Sequence, residues 1–166
     1  MNPSKTIQIL STGGTFNKTY NPATGALDID PEATALYAIA RKWLTSFDVR
    51  TLIDKDSLEM DDADRHVLLQ AIATSQATTL IVIHGTDTLD RSAAVVAEAR
   101  LGKRVIFTGA MVPFSIDPVE ATANLASAIG YAQASTESGV FVAMNGCFGT
   151  HTEVIKDRSL GRFVCR

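Results

Sequence analysis

Short apolar runs alternate with helical patterns along most of the chain. The runs predict buried strands over residues 5–10, 47–53, 79–84, 104–107 and 139–144, with a further strand near residues 153–156. Apolar residues spaced three or four positions apart predict a helix between each pair of the first five strands. This alternation predicts a single α/β domain with a doubly wound, mostly parallel sheet between two helical layers, as in flavodoxin-like and Rossmann-like folds.

The predicted helices carry recognisable boundary signals. Asp30 and Asp117 are each followed by proline, which places an N-cap residue before a favoured first helical residue. The fourth helix is expected to run to Ala134, and Gly102 is the expected C-cap of the third. The apolar faces of the first three helices are predicted to include Leu36, Ile39, Ala40, Trp43 and Leu44; Ala63, Val67, Leu68, Ala71 and Ile72; and Ala93, Ala94, Val96, Ala97 and Leu101.

Two polar segments interrupt this pattern. Residues 11–28 have no period and contain three glycines, so they are predicted to form a long loop of the kind that often serves as a lid. Residues 54–64 contain six carboxylates and one lysine. They fit a solvated loop that places negative charge at a helix N-terminus. Alternatively, Ser57 or Glu59 within them belongs to a binding site.

The strand ends indicate where a ligand would bind. In a sheet of order 2-1-3-4-5, the order reverses between the first and third strands, and ligands bind in the crevice at that point. The segments STGGT at residues 11–15 and HGTDT at residues 84–88 end those two strands. Both are therefore predicted to line one crevice. Threonines and glycines at strand ends are also common turn residues, so each segment alone fits a structural role as well.

The residue types in this crevice permit covalent chemistry. A threonine can act as a nucleophile if a neighbouring group takes its proton, and backbone N–H groups at a tight turn can stabilise an oxyanion. A lysine serves as a base only when its pKa is lowered, and an aspartate can orient it or bind a substrate ammonium group. His84 is expected to be a packed, hydrogen-bonded residue, and Tyr20 either a lid residue or part of the loop's own packing.

Composition and charge exclude several classes of function. The chain has 166 residues, a formal charge of −3 and a pI near 5.5, which disfavours nucleic acid as a partner. No signal-peptide core and no apolar run of about 18 residues is present, so we expect no membrane association and a cytoplasmic location. The two cysteines lack metal-binding spacing, and no nucleotide motif occurs. We therefore expect no metal and no cofactor.

Several of these segments resemble the signatures of bacterial-type L-asparaginases. STGGT at residues 11–15 resembles the first signature, and HGTDTL at residues 84–89 resembles the second. Weaker likenesses lie at Asp56, Ser57 and Met60, at Gly109, Ala110, Met111 and Pro113, and at Met144, Asn145 and Lys156. The resemblance implies hydrolysis of the side-chain amide of L-asparagine to L-aspartate and ammonia, through an acyl-enzyme and without a cofactor.

The resemblance also implies a role for particular residues. Thr15 is similar to the family's nucleophile, and Thr86, Asp87 and Lys156 to its second triad. Further residues are implied as substrate contacts: Ser57 and Asp87 for the α-carboxylate and α-ammonium, and backbone groups at Gly14, Thr86 and Ala110. Tyr20 corresponds to the lid tyrosine, although it lies closer to Thr15 than is usual. Leu58 stands where many members have glutamine or serine.

The resemblance covers nearly the whole chain but only the N-terminal domain of the usual family member. We therefore expect one domain over residues 1–166, without the usual C-terminal domain, similar to short-chain asparaginases. An open crevice and uncovered apolar helix faces then favour weak substrate affinity and a homo-oligomer, either a dimer or a tetramer. The alternative functions are a glutamine-active amidase or amidotransferase subunit, and a non-catalytic amino-acid-binding domain.

Overall fold

The computed structural model describes residues 7–166, which form ten strands and four α-helices. The strands are β1 Ile7–Gly13, β2 Lys18–Asn21, β3 Ala26–Ile29, β4 Asp48–Lys55, β5 Thr79–Ile83, β6 Arg104–Thr108, β7 Gly139–Met144, β8 Cys147–Thr150, β9 Val154–Asp157 and β10 Arg162–Cys165. The helices are α1 Thr34–Lys42, α2 Asp62–Thr74, α3 Leu89–Glu98 and α4 Pro118–Ala134. None of the helices in these residues is both long and apolar enough to cross a membrane.

The central sheet confirms the predicted topology. Its six strands lie in the order β4-β1-β5-β6-β7-β8, and all neighbours are parallel except the antiparallel pair β7 and β8. In chain order, the first five strands of this sheet therefore follow the predicted 2-1-3-4-5 arrangement. Of the predicted first strand, residues 5 and 6 lie outside the described residues. The sheet order places the ends of β1 and β5 side by side at the point where the order reverses.

The core occupies both faces of this sheet, which gives a three-layer α/β domain. Alternate residues of β5 point to opposite faces: Ile81 and Ile83 pack with α1 and α4, and Leu80 and Val82 pack with α2 and α3. All four side chains are fully buried. Burial on both faces explains why the parallel strands appear in the sequence as continuous apolar runs.

The prediction of a long loop over residues 11–28 is wrong. A short 3-10 turn, Thr15–Asn17, is followed by the antiparallel strands β2 and β3, which form the first hairpin. Most side chains of this hairpin are exposed or only partly buried, and it pairs with no strand of the central sheet. Its sequence consequently lacks the apolar alternation that predicts a half-buried strand.

Three boundaries of the first and third helices also differ from the prediction. Helix α1 begins at Thr34, because Ala33 adopts a positive φ of 50°, although the Asp30 carboxylate still accepts the Thr34 N–H at 2.9 Å. It ends before Trp43 and Leu44, which do not belong to its buried face. Helix α3 ends at Glu98, so Gly102 lies beyond its C-cap and not at it.

Helix α2 buries a different face from the one predicted. Ala63 and Val67 are exposed, whereas Arg65 is buried between α2 and the turn that carries Thr88. Leu68, Ala71 and Ile72 are buried as expected. The predictions for α4, with Asp117 as N-cap and a last residue at Ala134, and for β7 are confirmed. The second hairpin, formed by β9 and β10, lies outside the central sheet.

Candidate active site

The turns that follow β1 and β5 are in direct backbone contact. A Cβ atom placed on Gly14 would lie 2.5 Å from the backbone nitrogen of Gly85, and Gly14 has a positive φ of 76°. Only a residue without a side chain permits this approach and this conformation. Thr15 and Thr86 each directly follow one of the two contacting glycines. The predicted convergence of the two threonine turns at one edge of the sheet is therefore confirmed.

A Gly14→Ala substitution is expected to lower the free energy of unfolding by roughly 3 kcal/mol, because it adds a backbone clash to a strained φ. The matched control is Gly25→Ala. Gly25 has a φ of 72° but nothing within 4 Å of its Cβ position, so strain alone should cost about 1 kcal/mol. Urea unfolding of both variants measures the difference. Equal losses in the two variants would show that the contact with Gly85 contributes nothing.

A hydroxyl, a carboxylate and an ammonium group meet beside this contact. Lys156 Nζ, from β9, donates to Thr86 Oγ1 at 2.9 Å and to Asp87 Oδ1 at 2.8 Å. The Lys156 side chain is 15% exposed and that of Asp87 is 32% exposed, so the pair is only partly accessible to solvent. The three residues that the family resemblance groups as a triad are thus in contact with one another.

A fourth residue at this cluster, Arg158, was not identified from the sequence. Its Nη1 donates to Asp87 Oδ1 at 3.2 Å and its Nη2 to the Asp87 carbonyl at 2.9 Å. The hydrogen bond from Lys156, followed by that from Arg158, holds the pKa of Asp87 below its usual range. Asp87 is therefore ionised at neutral pH. Lys156 and Arg158 lie two residues apart, at the end of β9 and in the turn after it. In an extended chain this spacing places both side chains on the same side, and it is the sequence signal that could have identified Arg158.

The turn that follows β4 packs against the turn that carries Thr86. Ser57 is buried, and a Cβ on Gly85 would lie 2.6 Å from the Ser57 Cβ. Thr88 donates its hydroxyl to the Ser57 carbonyl at 2.8 Å, and its own Oγ1 accepts from Arg65 Nη2 at 3.3 Å. Because its hydroxyl is covered, Ser57 in this structure positions the turn that carries Thr86.

The first hairpin is attached to the same region by its first residue. Lys18 forms an ion pair with Asp56 at 2.7 Å, and its carbonyl accepts the Ser115 hydroxyl at 2.7 Å. The hydrogen bond from Lys18 is the largest cause of the lowered pKa of Asp56. Tyr20, in β2, is 63% exposed and makes no recorded hydrogen bond to the cluster around Lys156 within residues 7–166. The hairpin is thus held at its base, and Tyr20 faces solvent.

A network of polar side chains that sequence reasoning missed holds the loop after β6. The Glu120 carboxylate accepts the backbone N–H of Met111 at 3.0 Å and Asn145 Nδ2 at 2.9 Å. Asn124 donates to the Gly109 carbonyl at 2.9 Å. These bonds fix the buried residue Ala110 next to the two threonine turns. Glu120, the one charged residue of helix α4, lies four residues before Asn124, and that spacing is the signal that could have revealed them.

His84 packs beneath the crevice, as expected for a hydrogen-bonded residue at a strand end. It is fully buried, with Nδ1 2.7 Å from the Gly85 carbonyl and Nε2 2.8 Å from Ser92 Oγ. A carbonyl only accepts, so Nδ1 donates and the neutral ring accepts the Ser92 hydroxyl at Nε2. Burial, the largest cause, lowers the pKa of His84 from 6.5 to about 4.

Acid is therefore expected to destabilise the protein through His84. The unfolded chain takes up this proton near pH 6.5, whereas the folded chain takes it up only near pH 4. Protons thus favour the unfolded state, and roughly 3 kcal/mol of stability is lost as the pH falls across this window. Urea unfolding at pH values from 7 to 4 measures this loss of stability. The control is His66→Gln, at an exposed histidine, which is expected to show the same loss as the wild type. An imidazole of His84 that titrates near pH 6.5 by NMR would contradict the prediction.

One hollow of the surface lies apart from the threonine cluster. A cavity of about 500 Å³ lies between the 3-10 turn, β2 and α1, with Phe16, Lys18, Tyr37, Arg41 and Phe114 among its lining residues. Neither Thr15 nor Thr86 lines it. Among residues 7–166, no group of three or more histidines, cysteines or carboxylates is placed to hold a metal ion. The candidate site is the cluster of Thr86, Asp87 and Lys156 at the edge of the sheet, beside the turn that carries Thr15.

Comparison with solved structures shows the same fold in several L-asparaginases. The thermostable L-asparaginase from Thermococcus kodakarensis is 24% identical with a TM-score of 0.80, and the match covers 96% of this chain and 51% of that one. A probable cytoplasmic L-asparaginase from Campylobacter jejuni is 24% identical with a TM-score of 0.75 and coverages of 96% and 52%. L-asparaginase I from Vibrio cholerae is 22% identical with a TM-score of 0.78 and coverages of 96% and 50%.

This chain therefore spans about half the length of the solved structures that it matches. No curated protein matches it by sequence. The model of the family described as asparaginase, N-terminal, matches residues 6–162 and thus nearly all of the chain. That range contains both threonine turns and Lys156, which bridges Thr86 and Asp87. The chain belongs to the asparaginase family, through the family's N-terminal domain.

Proposed function

We propose that the chain hydrolyses the side-chain amide of L-asparagine to L-aspartate and ammonia, with Thr15 as the nucleophile and no cofactor. The observation that carries this proposal is the position of Lys156, which donates at once to Thr86 Oγ1 at 2.9 Å and Asp87 Oδ1 at 2.8 Å. This contact lies beside the turn that presents Thr15. Membership of the asparaginase family supports amide hydrolysis as the reaction class.

The direction of the hydrogen bonds favours a proton relay through Thr86. An ammonium group only donates, so the Thr86 oxygen accepts from Lys156 and its own hydrogen remains available to another group. The hydroxyl is thereby polarised without losing its proton. A hydroxyl that accepts on one side and donates on the other can pass a proton between the nucleophile and the leaving group.

In the proposed first step, Thr15 Oγ attacks the amide carbon, and backbone N–H groups near Gly14, Thr86 and Ala110 stabilise the oxygen. The Thr15 proton passes through Thr86 to the nitrogen, ammonia leaves and an ester remains on Thr15. Water then attacks the ester carbon. One of its protons returns through Thr86 to Thr15 Oγ, and L-aspartate is released. Ionised Asp87 holds the substrate α-ammonium group throughout, on the turn that Ser57 supports.

Ammonia release from L-asparagine and from L-glutamine tests the proposal. Turnover of L-asparagine, with L-glutamine at most a minor substrate, is the expected result. A marked preference for L-glutamine would replace the proposed substrate with that of a glutamine amidase or an amidotransferase subunit. Calorimetric binding of L-asparagine without any turnover would replace the enzyme with an amino-acid-binding domain, and absence of both would overturn the proposal.

We also propose that the protein acts as a homo-oligomer, at least a dimer, in the cytoplasm. Large apolar side chains on α1 and just after it are exposed, with Tyr37 52% and Leu44 95% accessible. Contact with a second copy would cover them and enclose the crevice. Sedimentation at assay concentration is expected to show a dimer or tetramer. A fully active monomer would contradict this proposal.

A further inference from the structure

The two cysteines of the chain lie on either side of the strand that carries Lys156. Cys147 begins β8, Cys165 ends β10, and β9 lies between them along the chain. Cys165 pairs with Val154 in the second hairpin, and Cys147 pairs with Met144 at the edge of the central sheet. A covalent bond between the cysteines would thus join the second hairpin to the central sheet.

The two residues face each other across β8 and β10. Cys147 Sγ donates to the Phe163 carbonyl at 3.8 Å, which places the thiol against the backbone two residues before Cys165. Phe163 and Cys165 lie two residues apart on β10 and therefore point to the same side of that strand, and the neighbouring Cys165 thiol is the largest cause of the raised pKa of Cys147. Both cysteines are free, Cys165 is exposed and Cys147 is half-buried. The Cys147 thiol thus lies against the side of β10 that carries Cys165, and a disulfide requires two cysteines on facing segments of backbone.

We propose that Cys147 and Cys165 form a reversible dithiol–disulfide site that is oxidised by small hydroperoxides. This site is independent of the proposed amide hydrolysis. The oxidant reacts at the exposed Cys165 thiol, and a thiol reductant converts the disulfide back to the dithiol.

The environments of the two thiols indicate the order of the chemistry. Cys165 is exposed and meets the oxidant first, whereas hydrogen bonding with the Cys165 thiol raises the pKa of Cys147. The Cys165 thiolate attacks hydrogen peroxide, the O–O bond breaks and a sulfenic acid forms, while the departing hydroxide takes up the proton that the thiol lost and leaves as water. An organic hydroperoxide releases the corresponding alcohol instead. The Cys147 sulfur then attacks that sulfenic sulfur, the S–O bond breaks and a second water leaves. Two thiols are oxidised by two electrons and one peroxide is reduced.

A disulfide would close a ring over residues 147–165. This ring contains Lys156 and Arg158, the two cations that hold Asp87. Cross-linking restricts the excursions of a segment between its ends. Oxidation is therefore expected to protect the second hairpin from local opening and to slow its cleavage by a protease.

The test is hydrogen peroxide treatment of the wild type under non-denaturing conditions, followed by intact-mass and peptide analysis. The expected result is a monomer-mass species lighter by two hydrogen atoms, a Cys147–Cys165 linked peptide, and full recovery of both thiols with dithiothreitol. Limited proteolysis within residues 150–162 is expected to slow several-fold in the oxidised form. Cys147→Ser leaves Cys165 unresolved and is expected to accumulate sulfenic acid or its over-oxidised products, and Cys165→Ser is expected to react more slowly.

Three results would overturn the proposal. The first is a wild type that keeps both thiols under peroxide while a small-molecule thiol in the same solution is consumed. The second is oxidation of Cys165 beyond the sulfenic acid in the wild type as readily as in Cys147→Ser. The third is disulfide formation only between separate chains. None of these measurements depends on turnover of an amide.

Discussion

Thr15→Ala is expected to lower the rate of ammonia release from L-asparagine by at least about 10³-fold, because removal of a covalent nucleophile leaves only binding and oxyanion stabilisation. The substitution removes one hydroxyl and one methyl group from a partly buried turn, and Gly14 still makes its contact with Gly85. The fold should therefore persist. The steady-state kcat is the quantity to compare, with L-aspartate binding measured separately by calorimetry.

Thr19→Ala is the matched control for this variant. Thr19 is a partly buried threonine in β2 and pairs with Asp28 in the first hairpin. Its replacement should leave kcat within about twofold of the wild type, since surface changes away from the site have small effects. Retention of more than a tenth of the wild-type kcat in Thr15→Ala would assign the nucleophile to another group.

Lys156→Met is expected to lower kcat by roughly 10²- to 10⁴-fold, because it impairs the proton transfer through Thr86 and such transfers typically contribute that much. Methionine fills a similar volume but donates no hydrogen bond, so Thr86 Oγ1 loses the donor that lies at 2.9 Å. Asp87 keeps Arg158 at 3.2 Å and remains paired. The measurement is kcat for L-asparagine, accompanied by the thermal unfolding midpoint to show that the variant is folded.

Arg158→Met distinguishes the effect of Lys156 on Asp87 from its effect on Thr86. Both cations bind Asp87 Oδ1, but only Lys156 reaches Thr86, and the Arg158 side chain is 66% exposed. A pair this exposed contributes little, so Arg158→Met should change kcat less than about tenfold. Equal losses in the two variants would mean that Lys156 acts through the charge on Asp87 alone, and the relay through Thr86 would be wrong.

The architecture was predictable because parallel strands buried on both faces leave continuous apolar runs. β5 is such a run, and its end is marked by the turn at residues 84–88. The strand order then placed the Thr15 and Thr86 turns together without reference to any family. The strand order did not predict how closely these two turns approach each other, because that depends on the backbone contact between Gly14 and Gly85.

The remaining features depend on contacts that leave little trace in local sequence. The first hairpin is mostly exposed, so its strands lack an apolar period. Arg65 replaces an apolar residue on the buried face of α2, because its guanidinium donates to Met60 and Thr88. Lys156 was identified only by resemblance to the asparaginase family. Its partner Thr86 is 70 positions away in the chain, and no spacing rule spans that separation.

The position of Lys156 has a consequence for how activity is lost under stress. The lysine comes from the second hairpin, two four-residue strands that lie outside the six-stranded sheet. Segments with few buried apolar contacts open locally at a lower free energy than the core. Opening of this hairpin removes the lysine while the sheet and both threonine turns remain folded. We therefore expect the proposed activity to be lost to heat or urea before global unfolding, and to return when the hairpin docks again on Asp87.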